Sequence, residues 1–178
     1  MFTHLRFFEY ENAYRHYTKT MQGMKQCTDR ASRTKIIAKP VLILAVIKLI
    51  EEGKTNNLFT YSEIEPAYRD LYAQWLAHVG QERATPLCYP FYFLCSDGFW
   101  HLAWKNPEVK TENPTESWLE HNCHGASLDP ELWILLVNKT YRDMVAQFLI
   151  DGKISEAAPR TPSLKSALRR FAQMLMIA

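Results

Sequence analysis

The chain has 178 residues, 47% of them hydrophobic, with nine Tyr, nine Phe, five Trp and a formal net charge of +2. That length suits one domain of ordinary size with a core that needs no staples, and the apolar and aromatic content excludes a disordered chain. The N-terminus, MFTHLRFFEYENAYRHYTK, scatters its charges and lacks the apolar run of a signal peptide, so Cys27, Cys88, Cys95 and Cys123 are expected as reduced thiols of a cytoplasmic protein.

Residues 5–25 read as a helix, because Tyr10, Tyr14, Tyr17, Met21 and Met24 recur at spacings of three and four. Residues 26–38 are polar and basic, without a clear period before Ile36 and Ile37, and read as a loop or short helix. The stretch Pro40–Gly53, PVLILAVIKLIEEG, is apolar on every side of a helical wheel. It is too short to span a membrane, so it predicts a buried central helix with Pro in its first turn and Gly just past its end. Lys54 to Asn57 is a turn by composition, and Leu58 to Tyr61 is a short strand candidate. Ser62-Glu63-Ile64-Glu65 has the pattern of a capping box. The helix it opens carries Pro66 in its first turn, Ile64, Tyr68, Leu71, Tyr72, Trp75, Leu76 and Val79 on one face, and Gly80 at its end.

After a loop at 81–87 comes the aromatic run Tyr89-Pro90-Phe91-Tyr92-Phe93, placed at a loop end, and then Asp97-Gly98, a turn or hairpin signal. Phe99 to Trp104 predicts a strand. A polar loop follows, then a short helix near Ser117 to Cys123. Asp129-Pro130-Glu131 predicts a capped helix start, with Leu132, Trp133, Leu135 and Leu136 facing the core. Asn138 divides that helix from another over Lys139 to Ile150, closed by Gly152. Residues 153–163 read as a linker and 163–176 as a basic amphipathic helix. The fold class is mainly α with a small β component: a helical, winged-helix-like domain with a short strand pair over 1–152, and an appendage over 153–178.

The charge is unevenly spread. Residues 1–39 carry a net +5, residues 160–178 a net +4, and the stretch between a net −7. Basic ends on an acidic body suit either a polyanion partner or solvated helix faces. The sequence holds no phosphate-binding loop, no dinucleotide fingerprint and no nucleophile elbow. His121-Asn122-Cys123-His124 lacks zinc-site spacing, and four adjacent residues cannot spread over the strand pair and helix of an HNH nuclease. No catalytic residue, metal site or cofactor is therefore expected. Tyr89 and Pro90 form a candidate apolar ledge for a ligand.

Three motifs, Ala38-Lys39-Pro40-Val41-Leu42-Ile43-Leu44, Tyr89-Pro90-Phe91 with Leu94, and Ser96-Asp97-Gly98-Phe99-Trp100-His101-Leu102, together resemble the N-terminal domain of prokaryotic HNH-type restriction endonucleases. Some of those domains bind sulfur in phosphorothioate-modified DNA. The resemblance covers roughly residues 5–152. It implies a pocket of Lys39, Tyr89, Pro90 and Phe93, with Arg30, Arg33 and Lys35 on the DNA backbone. Two positions depart from the sulfur binders: Ala38 stands where they carry His, and the bulky Phe93 stands where they carry a small residue. The family's nuclease lies in a separate C-terminal domain, so no catalysis is expected from these residues. The expected partner is double-stranded DNA, phosphorothioate-modified in some relatives, with no membrane and with a homodimer left open. The rival readings are a peptide-binding module that uses the ledge from Tyr89 to Phe93, and an enzyme that uses His101, His121 or His124 with a carboxylate.

Overall fold

The computed structural model describes residues 6–106 and 109–157, and the basic helix expected over 163–176 lies outside them. The elements in order are α1 (Phe7–Gln22), α2 (Ala38–Glu51), α3 (Tyr61–Val79), α4 (Cys88–Phe93), a 3₁₀ turn (Leu94–Asp97), β1 (Trp100–Trp104), α5 (Glu116–Asn122), β2 (Cys123–Leu128), α6 (Pro130–Val137) and α7 (Lys139–Phe148). α7 runs on through a π turn (Leu149–Ile154) and a 3₁₀ turn (Ser155–Ala157). The fold is mainly helical, with a two-stranded antiparallel sheet.

α2 is the buried centre. Ala38, Pro40 to Ile47 and Ile50 are all buried, and α3, α4, α6 and α7 pack around them. Each buried Val, Leu or Ile contributes about 1.5–3 kcal/mol of transfer free energy. The helix begins two residues before Pro40, with its first bond from Val41 N–H to the Ile37 carbonyl, so Pro40 stays in the first turn where no donor is missed. It ends in a Schellman motif: Gly53 takes φ +104°, Gly53 N–H bonds Ile50 O, and Lys54 N–H bonds Leu49 O. α1 packs its predicted face inward, with Tyr17, Met21 and Met24 buried and Tyr10 stacked on Tyr141 of α7 at 5.1 Å.

Several expected boundaries move. The capping box of α3 is Thr60 with Glu63, not Ser62 with Glu65. Thr60 Oγ1 accepts from Glu63 N–H, and the Glu63 carboxylate accepts from Thr60 N–H and from Lys54 Nζ at 2.6 Å. Lys54 is delivered there by the end of α2, which decides between the two candidate caps. Pro66 is consequently one turn inside α3, on its exposed flank, and as a proline it offers no N–H to the carbonyl of Ser62. Gly80 ends the helix in the left-handed region.

The strand candidate at Leu58 to Tyr61 reduces to one bridge, Phe59 with Ala126, because α3 claims Tyr61. Asp97-Gly98 joins a helical segment to β1 rather than two strands. The partner of β1 is β2, in a stretch expected to be a surface helix end and loop. α5 stops at Asn122, and the chain turns to an extended form at Cys123. Gly125 there takes φ +151°, and a Cβ on it would stand 2.5 Å from the Phe59 carbonyl oxygen. Asn57 adds a side-chain rung, donating to Leu128 O at 2.7 Å and accepting from Leu128 N–H at 2.9 Å. Gly152 does not close α7: it lies inside the π turn, and Lys153, Ile154 and Ala157 beyond it are buried.

Burial alone would raise the Glu63 carboxyl, but hydrogen bonds from Lys54 and from the backbone and hydroxyl of Thr60 outweigh it and hold the group below its ordinary value. A depressed folded-state value means that the stabilisation is present above the unfolded carboxylate range and is lost as pH falls through the folded one. Thr60→Ala is expected to cost about 1 kcal/mol at neutral pH, and less in acid, by chemical denaturation. An equal loss at every pH would contradict the coupling to Glu63. Gly125→Ala is expected to cost about 2–3 kcal/mol through overpacking against Phe59, and an unchanged denaturation midpoint would refute that close approach.

Candidate functional site

Lys39 is the second residue of α2, and its Nζ lies 2.5 Å from Asp97 Oδ2. The two side chains are only 13% and 7% exposed. Asp97 ends the 3₁₀ turn after α4, and Gly98, at φ +88°, redirects the chain into β1. The helix start that was expected to face DNA therefore spends its cation on an internal carboxylate.

The residues of the implied pocket divide. α4 is a short helix rather than a loop end, so Tyr89 and Phe93, four residues apart, share one outer face and are 39% and 38% exposed. Phe93 fills no pocket: its ring meets the edge of Tyr92 at 5.0 Å. Pro90 and Phe91 turn inward and are buried. A joint Tyr89-Pro90 ledge is thus replaced by a Tyr89-Phe93 face. Lys39 reaches the same segment at its far end, through Asp97.

Arg30, Arg33 and Lys35 are exposed on a tight turn between α1 and α2. The turn is closed by the Thr28–Lys35 bridge, by Ile36 N–H on Cys27 O and by Arg33 N–H on Asp29 O. Arg33 sits in the left-handed region at φ +56°. Hydrogen bonds from the hydroxyl and amide of Ser32 hold the Asp29 carboxyl below its ordinary range. Gln81 anchors the turn from beneath, donating to Lys35 O at 2.8 Å while its own oxygen accepts from Tyr72 OH at 3.0 Å.

A cleft that sequence reasoning missed lies between the end of α1 and the 3₁₀ turn. His16, Lys19, Thr20, Gly23 and Lys25 form one wall, and Ser96 and Asp97 the other, around a volume of about 560 Å³. The C-terminal carbonyls of a helix repel anions, and here cations offset them: Lys19 lies in the last turn, Lys25 follows it, and buried Lys153 donates to Gln22 O. The signal for this wall was the spacing of His16, Lys19, Thr20 and Gly23 at three and four, which the stronger Tyr/Met face of the same helix obscured.

His101 and His124 lie apart. His101 on β1 meets Asp129 Oδ1 at 2.5 Å, and Tyr17 OH donates to Oδ2 of the same carboxylate at 3.1 Å. Asp129 therefore serves these side chains and, contrary to the expectation from sequence, makes no side-chain cap to α6. Burial first, then the charges of Asp129 and Glu131, push the Tyr17 hydroxyl well above its ordinary value. His124 is at the opposite end of the strand pair and lines, with Lys105 and Cys123, a smaller cavity of about 260 Å³. Burial raises the thiols of Cys88 and Cys123. Among the described residues no group of three or more His, Cys, Asp or Glu is placed to hold a metal ion. The chain matches no protein-family model and no curated protein.

Removing one partner of a buried ion pair strands the other charge. Lys39→Ala is accordingly expected to destabilise the fold by about 3 kcal/mol, read from denaturant midpoints. A loss below about 0.5 kcal/mol would show that the pair is merely a surface contact.

Proposed function

We propose that the chain is a DNA-binding recognition module that grips duplex DNA through its phosphates. The observation that carries this reading is the cleft of His16, Lys19 and Lys25, whose one lining carboxylate among the described residues, Asp97, is already matched by Lys39. The chain leaves Lys25 directly into the turn that exposes Arg30, Arg33 and Lys35. Such contacts are independent of base sequence and release counterions. The Tyr89-Phe93 face offers aromatic surface for a sugar, a base or a poorly hydrated sulfur atom. With the motif resemblance, this makes the module a reader within a modification-dependent restriction system, acting without a nuclease site of its own. The exposed Tyr89-Phe93 pair also favours a second reading, a receptor for an apolar peptide segment.

The test is an anisotropy titration of plain and phosphorothioate duplexes at about 50 and 200 mM salt. With three phosphates neutralised, affinity is expected to fall about fortyfold over that range. Lys19→Ala, Lys25→Ala and Arg33→Ala should each flatten the salt slope by about one unit. Tyr89→Ala should weaken the modified duplex more than the plain one if sulfur is read. Binding that ignores salt and vanishes with Tyr89→Ala or Phe93→Ala would replace DNA with a peptide as the partner.

A further inference from the structure

We propose that Asp97 is an internal competitor for the phosphate that enters the basic cleft: by holding Lys39 it withholds one positive charge from the cleft and sets the cleft's affinity. This rests on the reading of the cleft as a phosphate site and adds to it the residue that limits binding. Asp97 lines the cleft opposite His16, Lys19 and Lys25. Lys39 comes to the same carboxylate from α2, with 2.5 Å between Nζ and Oδ2. Because both side chains are nearly buried, water screens the pair far less than it would a rim contact.

Two consequences oppose each other. The ammonium at the start of α2 needs a counter-charge, which Asp97 supplies. The same carboxylate repels any anion drawn in by Lys19 and Lys25. Lys39 does not itself line the cleft, so an incoming phosphate reaches its ammonium only by displacing the carboxylate of Asp97. The neutral pair thereby keeps binding to ordinary phosphodiesters weak. Specificity often needs such a repulsive element beside the attractive ones.

The experiment compares the wild type with Asp97→Asn, Lys39→Met, the double variant Lys39→Met/Asp97→Asn, and Asp70→Asn. Asp70 lies on the exposed flank of α3 and serves as a control for a simple change of net charge. Each protein is checked by circular dichroism and titrated with a 20-base-pair duplex and with inorganic tripolyphosphate. Loss of one unit charge a few ångströms from the bound anion corresponds to about a tenfold change in affinity. Asp97→Asn should bind both probes about tenfold more tightly and Lys39→Met about tenfold more weakly, while the double variant returns close to wild type. Asp70→Asn should change affinity less than twofold. Should Asp97→Asn fail to fold, nuclear magnetic resonance of the wild type decides: tripolyphosphate must shift the Lys39 ε-methylene together with the Gly23 amide, and a silent Lys39 overturns the proposal. Duplex binding with Asp97→Asn no tighter than Asp70→Asn would overturn the role of Asp97 and leave the DNA reading standing. Tripolyphosphate binding in the expected order without duplex binding would do the reverse. Binding of neither probe to any variant would overturn both.

Discussion

Enclosure of α2 is the constraint from which the rest follows. A helix with apolar side chains around its whole circumference has no face to give to water, so neighbours must cover it on all sides. α3, α4, α6 and α7 do so, and α1 closes the outside by packing on α6 and α7. Burial also dictates how the helix ends. Its last carbonyls are satisfied by the Gly53 motif, and that turn hands Lys54 to the capping box of α3. One core helix thus sets both the exit geometry of its own chain and the entry geometry of the next element.

The other end of α2 adjoins the surface proposed to bind phosphate. A helix that enters the core with Lys as its second residue must find a counter-charge for it or leave the core early. The Asp97-Gly98 turn brings a carboxylate to that point, and the same turn forms one wall of the basic cleft. The ion pair therefore couples the packing of the central helix to the surface proposed to meet phosphates. In contrast, the turn with Arg30, Arg33 and Lys35 is anchored by a neutral hydrogen bond from Gln81, itself held by Tyr72, which fixes its backbone and leaves its charges outward.

The small sheet is held by features that carry little hydrophobic pattern. β2 reads Cys-His-Gly-Ala-Ser-Leu, with small residues where two backbones approach. Its edges are satisfied by the Phe59 bridge and by the Asn57 side chain, both from a segment some seventy residues earlier in the chain. Asp129 shows the same dependence on distant partners: its sequence context marks a helix cap, but Tyr17 and His101 take its oxygens.

The elements legible in the sequence are those whose information is local. The wheel of Val41 to Ile50 declared a buried helix, the Tyr and Met spacing declared the inner face of α1, and Asp129-Pro130 marked the start of α6. These were legible because periodicity and capping preferences act within a few residues. The tertiary structure alone decided that Thr60 rather than Ser62 caps α3, that β2 pairs with β1, that Pro90 turns inward while Tyr89 and Phe93 stay outside, and that Lys39 is bound to Asp97. Each of these depends on a partner far along the chain, where side-chain chemistry offers several equivalent choices. Packing around α2 selects among them, because the arrangement adopted must cover that helix and leave its lysine beside a carboxylate.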